Sequence, residues 1–249
     1  RLWDAGTGLP KGRLGGDGNR ITQGSWSPDG TMLATGFTDK TVRVWSAQDG
    51  RPLAVLPQET ALSIIAWSST GRIAAASGEE IRIWDPVNGH IKVPLPLDGV
   101  SAMAWNSDGS RLAIGSMFQN SHIWRSDTNS IYDLAVRVPA TAIIWSPDGT
   151  KLVTQYYGAA WLWNAANGEA IGKPFALGQT IGSTQRMSWS PDGTYVALTQ
   201  GEAAGLWNTL NDRRSGLLGH HWDISQLLWS ADGKRIATVS ADGTGRIWT

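Results

Sequence analysis

The sequence contains no cysteine among its 249 residues. This absence excludes disulfide bonds, thiolate metal sites and cysteine nucleophiles, and it fits a reducing compartment, so we expect a cytoplasmic protein. Lysine plus arginine equals aspartate plus glutamate, 21 against 21, and no basic run is longer than a pair such as Arg213-Arg214. Because tight nucleic-acid binding draws on clustered basic charge, we expect no nucleic-acid partner and no anionic-membrane partner.

Long apolar runs are also missing. No stretch approaches the roughly 20 residues that a membrane-spanning helix needs, and the first residues lack the charged-then-apolar pattern of a signal peptide. We therefore expect no membrane partner. The sequence begins with Arg1 rather than methionine, and we expect it to be an N-terminally truncated part of a longer chain.

Tryptophan and glycine, in contrast, are abundant, with 15 and 30 residues. One series of tryptophans is spaced by 38 to 44 residues and follows short apolar runs: Trp26, Trp67, Trp105, Trp145, Trp189 and Trp229. A second series is spaced by 39 to 44 residues: Trp3, Trp45, Trp84, Trp124, Trp163, Trp207 and Trp248. Thirteen of the 15 tryptophans thus lie in two registers of about forty residues, which indicates an internal repeat.

Each repeat contains four short strand-like runs. The first is apolar and ends at a turn such as Ser27-Pro28-Asp29-Gly30, and the third alternates, as in Thr41-Val42-Arg43-Val44-Trp45. No segment shows a convincing helical period over ten or more residues. Four short antiparallel strands every forty residues predict an all-β fold in which each repeat forms one blade of a β-propeller. We expect the tryptophans to pack between neighbouring blades.

These residues resemble the WD-repeat (WD40-type) family. Trp3-Asp4 and Trp84-Asp85 match its signature dipeptide, and Gly219-His220 precedes the last repeat. In this family a histidine, a serine or threonine, an aspartate and the strand-ending tryptophan form a hydrogen-bonded structural tetrad. The resemblance implies one full tetrad and one partial tetrad, the latter without a histidine. The full set is His220, Thr238, Asp242 and Trp248, and the partial set is Thr35, Asp39 and Trp45.

The strand count predicts the architecture. We label the strands of a blade a to d. The sequence starts at a c strand and ends at a c strand, which gives seven c strands but six each of a, b and d. We expect a single propeller domain over residues 1–249, with six repeats preceded by the second half of another. The repeats span about 1–20 (partial), 21–60, 61–99, 100–139, 140–183, 184–223 and 224–249.

Two blade counts are compatible with this pattern. We favour seven blades in the intact parent chain. The alternative is a six-bladed ring that residues 9–15 close, with residues 1–4 left over. In the seven-bladed case an open blade edge would allow self-association.

No catalytic constellation is visible in the sequence. The four histidines are His90, His122, His220 and His221, and none lies in a nucleophile elbow or a metal-binding spacing. The pair His220-His221 has no further histidine or cysteine near it. We therefore expect no enzyme, no metal site and no cofactor.

The remaining candidate for function is a loop face. In WD-repeat proteins the d–a and b–c loops share one face, which commonly binds peptides and protein loops. Aromatic side chains are enriched at binding hot spots. The alternative is that these rings fill space left by missing tetrad members, above all at Phe118. The candidate residues are Phe37, Phe118, Tyr156, Tyr157, His221, Trp222 and Asp223.

Two functions remain open on this basis. The resemblance implies a non-catalytic scaffold that binds a protein or peptide of unknown identity. The repeats are similar to bacterial WD-repeat arrays of larger signalling proteins, where they would act as a sensor or docking region. The alternative is a propeller enzyme of hydrolase type with its site at the central channel.

Overall fold

The computed structural model describes residues 1–15, 18–58, 60, 62–77, 80–84, 95–96, 99–176 and 186–249. Within these ranges the regular structure consists of β-strands and contains no helix, which confirms the predicted all-β class. The strands are β1 (Leu2–Trp3), β2 (Pro10–Gly12), β3 (Ile21–Trp26), β4 (Met32–Phe37), β5 (Thr41–Ser46), β6 (Pro52–Pro57), β7 (Leu62–Trp67), β8 (Ile73–Ser77), β9 (Glu80–Trp84), β10 (Leu95–Pro96), β11 (Val100–Trp105), β12 (Arg111–Ser116), β13 (His122–Arg125), β14 (Ser130–Asp133), β15 (Ala142–Trp145), β16 (Lys151–Tyr156), β17 (Ala159–Asn164), β18 (Ala170–Ala176), β19 (Met187–Trp189), β20 (Tyr195–Gln200), β21 (Ala203–Asn208), β22 (Arg213–Gly219), β23 (Ile224–Trp229), β24 (Ile236–Ser240) and β25 (Gly245–Trp248).

The strands form sheets in the order in which they follow one another along the chain. Five sheets have four strands each: β3 to β6, β7 to β10, β11 to β14, β15 to β18 and β19 to β22. The last sheet contains β23, β24 and β25, and the first contains β1 and β2. Each four-stranded sheet corresponds to one predicted repeat with its a, b, c and d strands.

The chain divides into two compact units. Unit 1 contains Arg1–Gln119 and Trp124–Ile131, and unit 2 contains Asn120–Ile123 and Tyr132–Thr249. The division therefore passes through the sheet β11 to β14. Each unit is described by itself below, and the single domain over residues 1–249 stays a prediction.

A repeated turn joins the a and b strands of a sheet. In the turn after β3, the Ser27 hydroxyl donates to Asp29 Oδ1 at 2.6 Å and accepts from the Met32 amide at 2.9 Å. Gly30 has a φ of 68°, a backbone conformation that glycine adopts without steric cost. The turn after β23 has the same bonds, with Ser230 donating to Asp232 at 2.5 Å. The Ser-x-Asp-Gly pattern in the sequence thus closes the a–b hairpins.

The apolar core lies between neighbouring sheets. In unit 1 the buried Val44 of β5 belongs to the same cluster as Trp67 of β7 and Trp84 of β9. In unit 2 the buried Leu162 of β17 belongs to one cluster with Trp207 of β21. Because one sheet cannot bury its apolar face alone, each repeat depends on its neighbour for stability. Trp67, Trp84 and Trp207 thus pack as predicted for the repeat tryptophans, whereas Trp3 and Trp26 are more than half exposed.

The tryptophan that ends an a strand also bonds the preceding sheet. Trp67 Nε1 donates to Ser25 O at 2.8 Å, and Trp229 Nε1 donates to Ser188 O at 3.3 Å. In both cases the acceptor is the residue just before the tryptophan of the preceding a strand. This bond fixes the register between neighbouring a strands.

The strands at the two ends of the sequence bear on the predicted blade count. The six-bladed alternative places residues 9–15 beside the C-terminal strands. In the structure β2, at residues 10–12, pairs with β1, and β25 pairs with β24. Both blade counts stay predictions.

Candidate functional site

The four predicted tetrad residues of the last repeat lie together in unit 2. His220 follows β22, Thr238 lies on β24, Asp242 lies in the β24–β25 turn and Trp248 ends β25. His220 Nε2 is 2.7 Å from Thr238 Oγ1, and Trp248 Nε1 donates to the same oxygen at 2.9 Å. His220 Nδ1 is 3.3 Å from Asp242 Oδ2. The fully buried Thr238 hydroxyl thus connects the histidine to the tryptophan.

The Asp242 carboxylate joins this network to the turn and to the loop before β23. It accepts from the Thr244 hydroxyl at 2.6 Å and the Thr244 amide at 2.8 Å. It also accepts from the His221 amide at 3.2 Å. These donors favour the charged form, so the pKa of Asp242 is lowered, with the Thr244 hydroxyl as the largest cause.

The loop that carries His221, Trp222 and Asp223 is held through its backbone. The Ser240 hydroxyl donates to Trp222 O at 2.8 Å, and the Ala241 amide donates to Asp223 O at 3.0 Å. The Trp222 side chain itself is 66% exposed, and the side chains on either side of it are exposed too. The loop therefore presents a large apolar ring to solvent from a fixed backbone.

The partial tetrad of the first complete repeat has a different set of partners. Trp45 Nε1 donates to Thr35 Oγ1 at 2.6 Å, as in the last repeat. Asp39 accepts from the Thr41 hydroxyl at 2.6 Å and forms an ion pair with Arg43. Asn19 Nδ2 donates to Asp39 at 3.0 Å. The asparagine thus donates to the aspartate, as the histidine does in a full tetrad.

Sequence reasoning missed Asn19 and one further threonine. Asn19 could have been found as a polar side chain that lies shortly before β3, in a repeat that lacks the histidine. Trp163 Nε1 donates to Thr154 Oγ1 at 2.8 Å, the same bond as in the first and last repeats. Thr154 was missed because the b–c connection of its repeat is one residue shorter.

In two repeats that lack the threonine, the strand-ending tryptophan bonds another acceptor. Trp124 Nε1 donates to Asn129 Oδ1 at 3.1 Å, and Trp207 Nε1 donates to Asp212 Oδ1 at 2.9 Å. Both acceptors lie in the turn after the c strand and have positive φ angles of 53° and 57°. Asparagine and aspartate tolerate this conformation better than other side chains with a Cβ.

Phe37 does not belong to an exposed binding face, which corrects our assignment. It is 1% exposed, and its ring centroid lies 6.2 Å from that of Trp45. The Arg43 guanidinium carbon also lies over the ring, 4.2 Å from its centroid. The ring thus fills space within the repeat, which is the role that we had considered above all for Phe118.

Phe118, in contrast, is 66% exposed in unit 1. Its ring lies against Gly99, where an added Cβ would come within 2.4 Å of it. Its backbone is fixed by the Ser116 hydroxyl, which accepts from the Phe118 amide at 3.1 Å. The structure therefore leaves this ring accessible.

The two tyrosines lie at the turn between β16 and β17 in unit 2. Tyr157 is 68% exposed and has a φ of 44°, a conformation that bulky residues rarely adopt. The Tyr156 ring is half-buried and meets the Tyr157 ring edge-on at 4.3 Å. Burial raises the pKa of Tyr156, and Tyr157 adds to this effect. Tyr157 is thus the accessible member of the pair.

Among the three histidines that the structure describes, His122 comes nearest to a catalytic arrangement. Its Nδ1 lies 2.8 Å from Asp133 Oδ1, and Asp133 also accepts from Asn120 at 2.9 Å. The His122 Nε2 atom, however, is buried and without a hydrogen-bond partner. A general base needs its free nitrogen within reach of a substrate, and this nitrogen is enclosed.

The described ranges show neither a metal-binding cluster nor a membrane-spanning helix. In that part of the chain no three or more histidine, cysteine, aspartate or glutamate residues are grouped so that they could hold a metal ion. The same ranges contain no helix with the length and apolar character that crossing a membrane requires.

A family model matches two parts of this chain. It is described as "WD domain, G-beta repeat" and matches residues 8–46 and 212–249. These segments contain the two repeats in which the tryptophan, threonine and aspartate are found together. These two segments of the chain therefore match the WD-repeat family, which the sequence resembled.

Two eukaryotic proteins are relatives of this chain. It is 24% identical to "Cell division cycle 20.1, cofactor of APC complex" of Arabidopsis thaliana, over 99% of this chain and 58% of that protein. It is also 24% identical to "Serine-threonine kinase receptor-associated protein" of Gallus gallus, over 88% of this chain and 64% of that protein. The chain thus spans less than two thirds of the length of either relative.

A solved structure establishes the fold. The chain resembles a chain in the "Crystal Structure of Mitotic Checkpoint Complex", with a TM-score of 0.70 and 20% identity. The match covers 99% of this chain and 79% of that chain. The fold is therefore a WD-repeat β-propeller, as the repeat pattern predicted.

Proposed function

We propose that this chain is a non-catalytic platform that binds a peptide or protein segment at the loop His221-Trp222-Asp223. Tyr157, in the same unit, is proposed as a second contact. We further propose that the chain serves as the sensor or docking region of a larger protein and uses no cofactor.

The observation that carries this proposal is the exposed Trp222 on a fixed backbone. An aromatic ring on an ordered loop loses little conformational entropy when a partner covers it, so most of the buried area contributes to affinity. The backbone of the loop is ordered by Ser240, Ala241 and Asp242. The two flanking charged or titratable side chains, His221 and Asp223, can add specificity at the rim.

Two further observations support binding rather than catalysis. The Arabidopsis and Gallus relatives are named for association with a complex and with a receptor. In this chain His220 is part of the hydrogen-bond network with Thr238, and the free nitrogen of His122 is enclosed. The hydrolase alternative therefore gains no specific support.

Peptide selection followed by affinity measurement tests the proposal. Peptides from a random display library are selected on the immobilised wild-type chain, and the best binder is labelled with a fluorophore. Its Kd is measured by fluorescence anisotropy against wild type, Trp222→Ala, Tyr157→Ala and Leu210→Ala. We expect Trp222→Ala to weaken binding about 30-fold, which corresponds to a hot-spot residue of about 2 kcal/mol. Tyr157→Ala should have a smaller effect.

Leu210→Ala is the matched control. Leu210 is 72% exposed in the connection between β21 and β22, so it is an equally accessible apolar side chain outside the proposed face. Its loss should leave the Kd unchanged, and the thermal midpoints of all three variants should match wild type. Equal Kd values for Trp222→Ala and wild type would contradict the proposal. Failure to select any peptide would contradict it as well.

A further inference from the structure

A glutamine side chain bridges two neighbouring a strands in unit 1. β3 and β7 lie side by side. Gln23 of β3 donates through Nε2 to Ser63 O and accepts through Oε1 from the Ile65 amide at 3.2 Å. The carboxamide thus bonds one backbone carbonyl and one backbone amide on the free edge of β7, the groups that a neighbouring strand would bond in a sheet.

The strands β19 and β23 of unit 2 repeat this geometry. Trp229 bonds Ser188 O just as Trp67 bonds Ser25 O, so the register between the two strands is the same. β23 also has the same irregularity as β7, a register shift that places Ser225 where β7 has Ser63.

The side chain of the shifted serine confirms the correspondence. Ser63 Oγ donates to Ala76 O at 3.1 Å in unit 1. Ser225 Oγ donates to Val239 O at 3.1 Å in unit 2. Ser225 O and the Leu227 amide are therefore the counterparts of Ser63 O and the Ile65 amide.

The residue that would form the bridge differs between the two units. Arg186 stands two residues before Ser188, where Gln23 stands two residues before Ser25. Its backbone pairs with β20, because the Thr199 amide donates to Arg186 O at 2.9 Å. A guanidinium carries donors but no acceptor, so Arg186 cannot satisfy the Leu227 amide as Gln23 satisfies the Ile65 amide.

The alternation of the ladder shows where the Leu227 amide points. The Ser230 amide donates to Arg235 O at 2.8 Å, just beyond the end of β23. Hydrogen-bonded positions alternate in an antiparallel pair, so the Leu227 amide points away from β24 and towards β19. On that side an open pocket of about 370 Å³ lies between the two strands, lined by Arg186, Ser188, Ser225 and Leu227.

We propose that this pocket binds a carboxamide, such as the side chain of a glutamine or asparagine in a partner peptide. The carboxamide oxygen accepts from the Leu227 amide and from the exposed Arg186 guanidinium, and its NH₂ group donates to Ser225 O. The pocket offers two donors and one acceptor. They match a carboxamide, because its oxygen can accept two hydrogen bonds through its two lone pairs while its NH₂ group donates one. A carboxylate would place its second oxygen against Ser225 O and repel it. The site shares no group with the Trp222 loop, so each of the two proposals can fail without the other.

Amide NMR with three small probes tests this pocket in the intact chain. The probes are the Nα-acetyl N-methylamides of glutamine, glutamate and methionine, which present a carboxamide, a carboxylate and an apolar group. We expect the glutamine compound to shift the Leu227 amide signal saturably. The glutamate compound should bind more weakly, and the methionine compound should give no shift. A shift that is as large with methionine, or tighter binding of glutamate, would overturn the proposal.

Substitution of Arg186 provides a test on the chain itself. Arg186→Gln should restore the bridge seen in unit 1, slow hydrogen exchange of the Leu227 amide about tenfold and weaken glutamine-probe binding about tenfold. Arg186→Leu is the control: it supplies no carboxamide, so exchange of the Leu227 amide should stay at the wild-type rate. In unit 1, Gln23→Leu should speed exchange of the Ile65 amide about tenfold. Unchanged Leu227 exchange in Arg186→Gln would contradict the proposal.

Discussion

In the last repeat, His220 and Trp248 share the buried Thr238 hydroxyl, whereas in the first complete repeat Trp45 bonds Thr35 and no histidine is present. The tryptophan–threonine bond is common to both repeats. The partners of the aspartate differ, because Asp39 is held by Arg43 and Asn19 instead of a histidine. The tryptophan–threonine bond, which the repeat of Trp163 also has, is therefore the part of the tetrad that persists when the histidine is absent.

The same two repeats differ at the position two residues after the threonine. In the first repeat this residue is Phe37, whose ring is buried against Trp45. In the last repeat it is Ser240, whose hydroxyl bonds the backbone of Trp222. One repeat therefore fills its interior with an aromatic ring, and the other fixes a loop that presents an aromatic ring to solvent.

Removal of the Phe37 ring should have the largest effect on stability. Phe37→Ala should lower the free energy of unfolding by about 3–5 kcal/mol, because it leaves a cavity beside Trp45. Urea unfolding measures this change. Phe118→Ala is the control, since its exposed ring should contribute less than about 0.5 kcal/mol. Similar losses of unfolding free energy in the two variants would contradict the distinction between the buried ring and the exposed ring.

Substitution of the two threonines should have the next largest effect on stability. Thr238→Val removes the partner of His220 Nε2 and of Trp248 Nε1 and should cost about 2–4 kcal/mol. Thr35→Val removes the partner of the Trp45 indole and a longer bond of 3.3 Å to Arg43 O, and should cost about 1–2 kcal/mol. Urea unfolding of both variants gives the difference. If Thr35→Val cost as much as Thr238→Val, the histidine would add nothing to the last repeat.

Lowering the pH should have the smallest effect on stability, through the protonation of Asp242 and Asp39. The Thr244 hydroxyl is the largest cause that lowers the pKa of Asp242. At Asp39 burial raises the pKa, but hydrogen bonds from Thr41 and Arg43 outweigh it, so that pKa is lowered too. A lowered folded-state pKa means that the folded protein binds fewer protons. The stabilisation is therefore complete above the ordinary aspartate range and is lost as the pH falls through the folded-state pKa.

Thermal unfolding of wild type and Asp242→Asn between about pH 6 and about pH 3 checks this expectation. The midpoint of wild type should fall with decreasing pH, and the fall should be smaller in Asp242→Asn because one titrating group is gone. Asp39→Asn is the matched variant of the first repeat. Parallel curves for wild type and both variants would show that neither carboxylate contributes.

Much of the fold was predictable from the sequence, because the tryptophan spacing and the Ser-x-Asp-Gly turns are local signals that repeat. The last tetrad could be located from Gly219-His220 and the residues that follow, and the structure brings its four members together. Phe37 and Phe118 could not be told apart, since one ends a b strand, the other lies just after one, and their burial depends on side chains from other strands. Thr154 was missed because the b–c connection of its repeat is shorter, which shifts its spacing from the tryptophan. Asn19 was missed because an asparagine stands in for the histidine as the donor to the aspartate. The role of Gln23 depends on β3 lying beside β7, a contact between residues about forty positions apart in the chain.

The most direct test of the proposed docking face is an amide chemical-shift map of the intact chain on addition of the selected peptide. The account predicts the largest shifts at His221, Trp222 and Asp223, with smaller shifts at Tyr157. Unchanged signals at residues 221–223, with saturable shifts elsewhere in the chain, would contradict it.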